Sequence, residues 1–320
     1  MSSLHEIKER IASVRTTLKI TNAMKLVAAA KLRKAERALE LMTPFRDTLV
    51  SICSSLPSRY YINGLDGIAG YPEGDFVEKS PSLPQQEAAA PDLPSIGTDK
   101  EIRLQDTLPV SAPKTAIVAI AGNSSFCGAF NSNILQKLNE LMAGDCAGAE
   151  IYLIGKKIAE PLRGKGFASE ELNDLVGRPS YEGASALAQK LIDAYRQGVY
   201  SRVLLLYNHF VSGVKQEVKL EKFLPFVPEV PSDGLEDGHF ITEPSAQEIA
   251  AHILPQMFRT EIYSALLDSI TAEQAARTVA MQTAGDNASD LLEELTLEYN
   301  KSRQQQITAE ILDIVGGTAR

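Results

Sequence analysis

AEQAARTVAMQTAGDNASDLLEELTLEYNKSRQQQITAEILDIVGGTAR, residues 272–320, contains no proline and reads as one long helix. Met281, Ala284, Ala288, Leu291, Leu295 and Ser302 recur at heptad spacing, with Tyr299 just ahead of the last, as a coiled-coil seam requires. A helix of that length does not bury its stripe alone, so a partner is needed. The other end of the chain supplies one. Leu4, Ile7, Ile11, Val14, Leu18, Thr21, Lys25, Ala28, Leu32, Ala35, Leu39 and Met42 also alternate at three and four. Two such arms separated by a compact middle region pair antiparallel when the chain folds back on itself. The first arm is rich in Lys8, Arg10, Arg15, Lys19, Lys25, Lys31, Arg33, Lys34 and Arg37, and the second in Asp286, Asp290, Glu293, Glu294, Glu298, Glu310 and Asp313. Opposite charge favours pairing of unlike arms over self-pairing.

Working outward, Ser3 with Glu6 three residues on makes a capping box for the first helix, which Pro44 and Pro57 end or kink between them. Forty to fifty residues at the helical rise give a rod of about 60 to 75 Å, longer than a small domain is wide. Residues 57–113 change character: proline, serine, glycine and alanine with scattered acids and no sustained period, a solvated connection or a contact surface. Regular structure resumes at Lys114. Strand-like KTAIVAIA, helix-like NILQKLNELMA, strand-like EIYLIG, helix-like ALAQKLIDAYRQ and strand-like RVLLLYNHF alternate as in a βαβ sheet, and VKQEVKLEKFLPF has the alternation of an antiparallel edge. Ser245 caps a short helix, Pro255 kinks it or opens the next, and 256–315 form a helix of about 90 Å. The expected fold class is α/β: a long antiparallel coiled coil of N- and C-terminal helices plus a Rossmann-like middle domain. The expected division is 1–56, coiled-coil helix; 57–111, proline-rich excursion; 112–231, Rossmann-like domain; 232–254, linker and short helix; 255–320, coiled-coil helix.

Composition bounds the function. With 44% hydrophobic residues the chain buries a real core. A net charge of -9 and a pI near 5.1 argue against nonspecific nucleic-acid binding. Cys53, Cys127 and Cys146 lack zinc-ligand spacing, which points to free thiols and a reducing compartment. No apolar run approaches the roughly 18 to 20 residues that span a bilayer.

Candidate chemistry is sparse. The turn AGNSSFCGAFNSN after the first middle strand has the small residues that cradle a phosphate, but neither GxGxxG nor GxxxxGK[ST], so a tight βα turn competes with a nucleotide site. Cys127 sits among small residues with no candidate base at a clear spacing. The four histidines stand apart from one another. No acid, base and nucleophile assemble, which favours a mechanical or binding role with no catalytic, cofactor or metal residues. After KSRQQQ the chain reads ITAEILDIVGG, its apolar residues on more than one face. The second arm is the longer, so its tip overhangs the first by about ten residues, about 15 Å. Such a tip either aggregates or is surrounded by another protein.

IKERIASVRTTLKITNAMKLVAAAKLRKAE near the start and the stretch from SITAEQAARTV to DIVGG at the end resemble the gamma subunit family of the F-type ATP synthase, as does SFCGAFN ahead of a helix. Ile307, Thr308, Glu310, Asp313 and Gly317 fit the family signature, and Thr318 stands where alanine is usual. The resemblance implies a non-catalytic rotor shaft without cofactor. Its coiled coil would lie inside a ring of alpha and beta subunits, and its foot would meet the epsilon subunit and the c-subunit ring. Membrane contact would run only through those partners, at the cytoplasmic face of the bacterial inner membrane. It further implies rotor–ring contacts at Met24, Lys25, Lys301, Arg303, Gln304, Thr308 and Glu310, and an apolar bearing of Ile311, Leu312, Ile314 and Val315. Arg303, Gln304 and Thr308 are expected on one side of the last helix. The alternatives are a small-molecule enzyme on the Rossmann-like domain with a coiled-coil dimerisation arm, and a cytosolic coiled-coil scaffold.

Overall fold

The computed structural model describes residues 4–56, 114–163, 169–226, 243 and 245–317. The Ser3 cap, the excursion 57–113, most of the linker before Ser245, and Thr318 lie outside the described residues. The elements run α1 (Leu4–Ser54), β1 (Lys114–Ile120), α2 (Phe130–Ala143), β2 (Glu150–Ile154), α3 (Lys156–Leu162), β3 (Ser169–Glu171), α4 (Asp174–Gly177), α5 (Tyr181–Arg196), β4 (Tyr200–Phe210), β5 (Gln216–Leu224) and α6 (Ala246–Gly317).

One five-stranded sheet has the order β3-β2-β1-β4-β5. β1, β2, β3 and β4 are parallel, and β5 pairs antiparallel with β4, Leu206 opposite Leu220. The continuous apolar runs of β1 and β4 are explained by burial on both faces. On one face Ile134, Leu138 and Met142 of α2 and Ile158 of α3 cover Ile117, Ile151 and Leu204. On the other, Leu187 and Leu191 of α5, Leu254, Phe258 and Ile262 of α6, and Leu49 and Cys53 of α1 cover Val118, Tyr152 and Leu205. Gly155 ends β2 at φ 116, where a Cβ would fall 2.3 Å from the Ala121 carbonyl oxygen, so only glycine turns the chain there.

Pro44 and Pro255 lie inside helices, and α1 still ends between Pro44 and Pro57 as expected. α1 runs through Pro44 to Ser54, and α6 through Pro255 as one helix of 72 residues, so no separate short helix precedes it. Ser245 Oγ accepts from the Glu248 amide at 3.3 Å and caps its start. From Met257 to Arg277 α6 is buried or half-buried on every side, as a helix does in the middle of a core. Beyond Met281 only a stripe is covered. No helix of the described residues is long and apolar enough to cross a membrane.

Candidate rotor site: rod, clamp and tip

α1 and α6 form an antiparallel rod. Lys25 Nζ donates to Gln282 Oε1 at 2.8 Å, and a Cβ on Gly285 would lie 3.5 Å from Asn22 Oδ1, so the register sets 25 beside 282 and 22 beside 285. The expected α1 seam is the one covered, with Ile7, Thr21 and Ala28 buried and the other seam positions from Leu4 to Met42 half-buried. On α6 the covered stripe is Met281, Ala284, Gly285, Ala288, Leu292, Leu295, Tyr299 and Ser302. Leu291 was expected in it and is 44% exposed. Gly285, Leu292 and Tyr299 repeat at seven, and that row carries the contact one residue on from Leu291. The charge complementarity of the arms does not become a ladder of ion pairs. Lys8, Arg15, Lys19, Lys31 and Arg33 are exposed and make no ion pair among the described residues. Their attraction to α6 acts at longer range and is screened by salt.

The sheet is fastened to the rod by a buried polar clamp. Arg277 Nη2 donates to Glu273 Oε1 at 2.7 Å, to Ser124 Oγ at 2.7 Å and to the Ser125 carbonyl at 3.3 Å. The Arg277 and Glu273 side chains are 10% and 6% exposed. Gly122 lets Glu273 approach, since a Cβ there would meet its carboxyl at 2.9 Å. At the end of β4, Asp268 accepts from the Phe210 amide at 2.7 Å and lies 2.6 Å from His209 Nδ1. β1 and β4 flank the point at which the strand order reverses, the crevice where open α/β sheets bind ligands. Here the chain's own α6 fills it with Asp268, Glu273 and Arg277.

The loop once open to a phosphate reading turns inward. The Gly122 amide donates to Asn131 Oδ1 at 2.9 Å, and Asn131 Nδ2 donates to the Ser124 carbonyl and reaches Cys127 Sγ at 3.1 Å. Cys127 is buried against Phe130 and Ala272, and burial raises its thiol pKa. Burial likewise pushes Cys53 up to about 12, the condition of an inert thiol. The clamp was missed in the sequence. Its signal is an ionic pair four residues apart inside a stretch otherwise rich in alanine.

The expected contact residues fall into two groups. Met24 and Lys25 are half-buried on α1 beside 282–283, with the Lys25 ammonium bonded across the rod. Lys301, Arg303, Gln304, Thr308 and Glu310 are exposed near the far end of α6, roughly 30 Å away along the helix. Within that second group the expected single side does not hold. Lys301, Gln304, Thr308 and Leu312 line one shallow open groove, and Arg303 is not part of it. At about 100° per residue, Arg303 stands about 100° round from Gln304, closer to the seam, and the groove looks away from α1. Thr308 Oγ1 bonds back to the Gln304 carbonyl at 2.8 Å, and Gln306 Nε2 donates to Glu310 at 3.1 Å.

The register brings Leu4 opposite 303, so α6 extends past the described part of α1 by about fourteen residues, about 21 Å. Ile311, Leu312 and Ile314 are 54%, 65% and 68% exposed. The Val315 side chain lies outside the described ones.

Comparison with known proteins agrees with this architecture. Residues 3–319 match the family described as ATP synthase. The ATP synthase gamma chain of Bacteroides fragilis strain ATCC 25285 is 39% identical over 99% of this chain and 99% of its own length. That of Flavobacterium psychrophilum is 34% identical, with 99% and 98% covered. Among solved structures, a chain of the Euglena gracilis mitochondrial ATP synthase in rotational state 3 superposes with a TM-score of 0.59 at 18% identity, covering 99% of this chain and 93% of that one. A chain from the central stalk and c-ring of the Tetrahymena thermophila enzyme gives 0.52 at 21%, covering 83% and 99%. With a family match along almost its whole length and relatives sharing more than a third of its residues end to end, this chain belongs to the ATP synthase gamma chain family.

Proposed function

We infer that this chain is the central rotor shaft of an F-type ATP synthase, a non-catalytic subunit that couples ion flow through a membrane ring to conformational change at catalytic sites carried by other subunits. The observation that carries the reading is the rod itself: a helix rooted in the core of the foot, paired with α1 in fixed register, and ending in a tip whose apolar Ile311, Leu312 and Ile314 are exposed. Asymmetry supplies the mechanism. A shaft whose sides differ contacts each member of a surrounding ring differently, so its angle biases their conformational equilibria, and only such differential contact shifts a population.

The partners that suit this role are an alpha and beta ring around the rod, and an epsilon subunit and c-subunit ring at the foot. The chain would thus sit peripherally at the cytoplasmic face of the bacterial inner membrane, reaching the membrane only through those subunits. The tip residues Ile311, Leu312, Ile314 and Val315 act as the bearing. Lys301, Gln304 and Thr308, on the groove away from α1, form and break polar contacts with the ring as the shaft turns, with Arg303, Glu310, Met24 and Lys25 as further contacts. The proposed division of labour follows the chain: 1–56 and 255–320 form the shaft, 112–231 the foot, and 57–111 and 232–254 connect them.

The test is reconstitution. The purified full chain added to an alpha and beta ring preparation lacking its shaft should restore ATPase activity that neither shows alone. A stable homodimer of the chain that leaves the ring inactive would refute the shaft.

A further inference from the structure

β4 ends beside the stretch of α6 that leaves the sheet to become the rod, and one aspartate ties the two together there. Asp268 of α6 is buried, its side chain 6% exposed, and its carboxylate meets two donors. The Phe210 amide donates to Oδ1 at 2.7 Å, and His209 Nδ1 lies 2.6 Å from Oδ2. The His209 side chain is 43% exposed, so a proton can reach the ring from water. Glu217 stands directly opposite His209 on β5. Lys215, and to a smaller extent His209, hold the Glu217 carboxyl below the usual carboxylate range, so the imidazole is within electrostatic reach of a second anion. The other charged groups nearby are engaged or lie further off. Tyr207, two residues back on β4, donates to Glu221. Along α6, Glu273 and Arg277 pair with each other, and Glu261 lies two turns the other way. From α1, Leu39 falls opposite 268 in the rod register, with Glu36 and Glu40 next to it in sequence and Arg46 bonded to Asp47. Among the described residues, no cation other than His209 pairs with Asp268.

An ionised carboxylate taken out of water needs a countercharge as well as donors. We propose that His209 is a proton-dependent latch holding the end of β4 to the rod: as an imidazolium it gives the buried Asp268 carboxylate its countercharge, and as a neutral ring it gives only a hydrogen bond. A separation of 2.6 Å is that of a charge-assisted contact. Deprotonation passes one proton from the ring to water and leaves Asp268 with two neutral donors. The strand end at 209–210 and the hairpin beyond it then open more readily from α6. A free imidazole is charged below about pH 6.5, and contact with Asp268 favours the charged ring. The stabilisation is therefore complete in acid and is lost as the pH rises above that value. The latch belongs to the junction and does not depend on the rotor reading.

The experiment uses the full chain with isotopically labelled histidine, whose ring nitrogens have different magnetic-resonance shifts in the charged and neutral states. Hydrogen exchange of the 210–216 amides, corrected for intrinsic rates, is followed in parallel at about pH 6 and about pH 9. The His209 ring should be charged at the lower pH. The amides should be about tenfold better protected there than at the higher pH, the difference between a charge-assisted and a neutral bond. His209→Gln, which keeps a side-chain donor without the charge, should show the lower protection at both, within about twofold. Asp268→Asn should make the 209 ring lose its proton at lower pH than in the unaltered chain. A neutral His209 ring at about pH 6 overturns the proposal, and that reading is taken on the unaltered chain, so it stands whether or not the variants fold. A tenfold difference in protection that persists in His209→Gln overturns it as well.

Discussion

Replacing Arg277 by methionine tests whether the foot is held to the rod by the polar clamp or by apolar packing alone. The substitution keeps much of the side chain's bulk but removes the donors to Glu273, Ser124 and Ser125. Glu273, 6% exposed and pressed on Gly122, is then left with Ser124 Oγ at 3.5 Å as its nearest donor. Breaking a buried pair by removing one partner costs about 3 to 5 kcal/mol, most of it from the stranded charge. That is an effect on local opening of the interface rather than on the whole chain, so hydrogen exchange is the assay. At about 1.4 kcal/mol per factor of ten, amides of 122–131 should lose protection by about 100-fold or more, while those of β2 and of seam residues 288–295 stay within a few-fold. Arg277→Met combined with Glu273→Met should recover most of the loss, because no charge remains buried. Protection changed by less than threefold in the single variant, or a double variant as loose as the single one, would refute the clamp.

Three further outcomes follow from the rod. Thr21→Cys with Gly285→Cys should form a disulfide on mild oxidation, a Cβ at 285 lying 3.8 Å from Thr21 Oγ1, whereas Leu4→Cys with Met281→Cys should not; the opposite pattern would mean a parallel rod. Ile311, Ile314 and Val315 changed together to serine should leave the chain's own stability within about 0.5 kcal/mol. Ring assembly should weaken by up to about 1.5 to 3 kcal/mol per large side chain, and unchanged affinity and turnover would remove the bearing. Arg303→Ala with Gln304→Ala should slow hydrolysis and synthesis while the rod melts normally, since both side chains are exposed; normal turnover with a weakened rod would assign them to register alone.

The rod was legible because a period of three and four over several heptads has few other physical explanations, and α1 follows it residue for residue. On α6 the pattern failed at one place for a definite reason. Leu291 and Leu292 are adjacent, both satisfy a three-or-four spacing from Ala288, and only the row through Gly285 and Tyr299 decides between them. The three longer parallel strands, β1, β2 and β4, and the antiparallel edge β5 were also legible. β3, α3 and α4 were not: Ser169–Glu171 is three polar residues, α3 carries Pro161, and α4 is a single turn. Such pieces are stabilised by what they pack against, a non-local quantity. Pro255 misled in the same way, because it removes one helical bond where burial of the surrounding face outweighs it. The clamp was hidden because Glu273 and Arg277 have the spacing of an ordinary surface pair, and only the docking of 122–131 shows that the pair is inside. The expected single side of Arg303, Gln304 and Thr308 was an error of angle, since neighbours in sequence on a helix diverge by about 100°.

The unbroken course of α6 from Ala246 to Gly317 has a geometric corollary. With no hinge or loop between the sheet and the tip, the azimuth of every tip residue relative to the foot is set by counting residues. One residue inserted after Arg303 would leave foot and seam undisturbed, yet advance Ile311 and its neighbours by about 100° and lift them by about 1.5 Å. Such a chain would fold and assemble with its timing displaced by nearly a third of a revolution. In this molecule phase is a property of chain length, and a helix without a break is the simplest way to keep it.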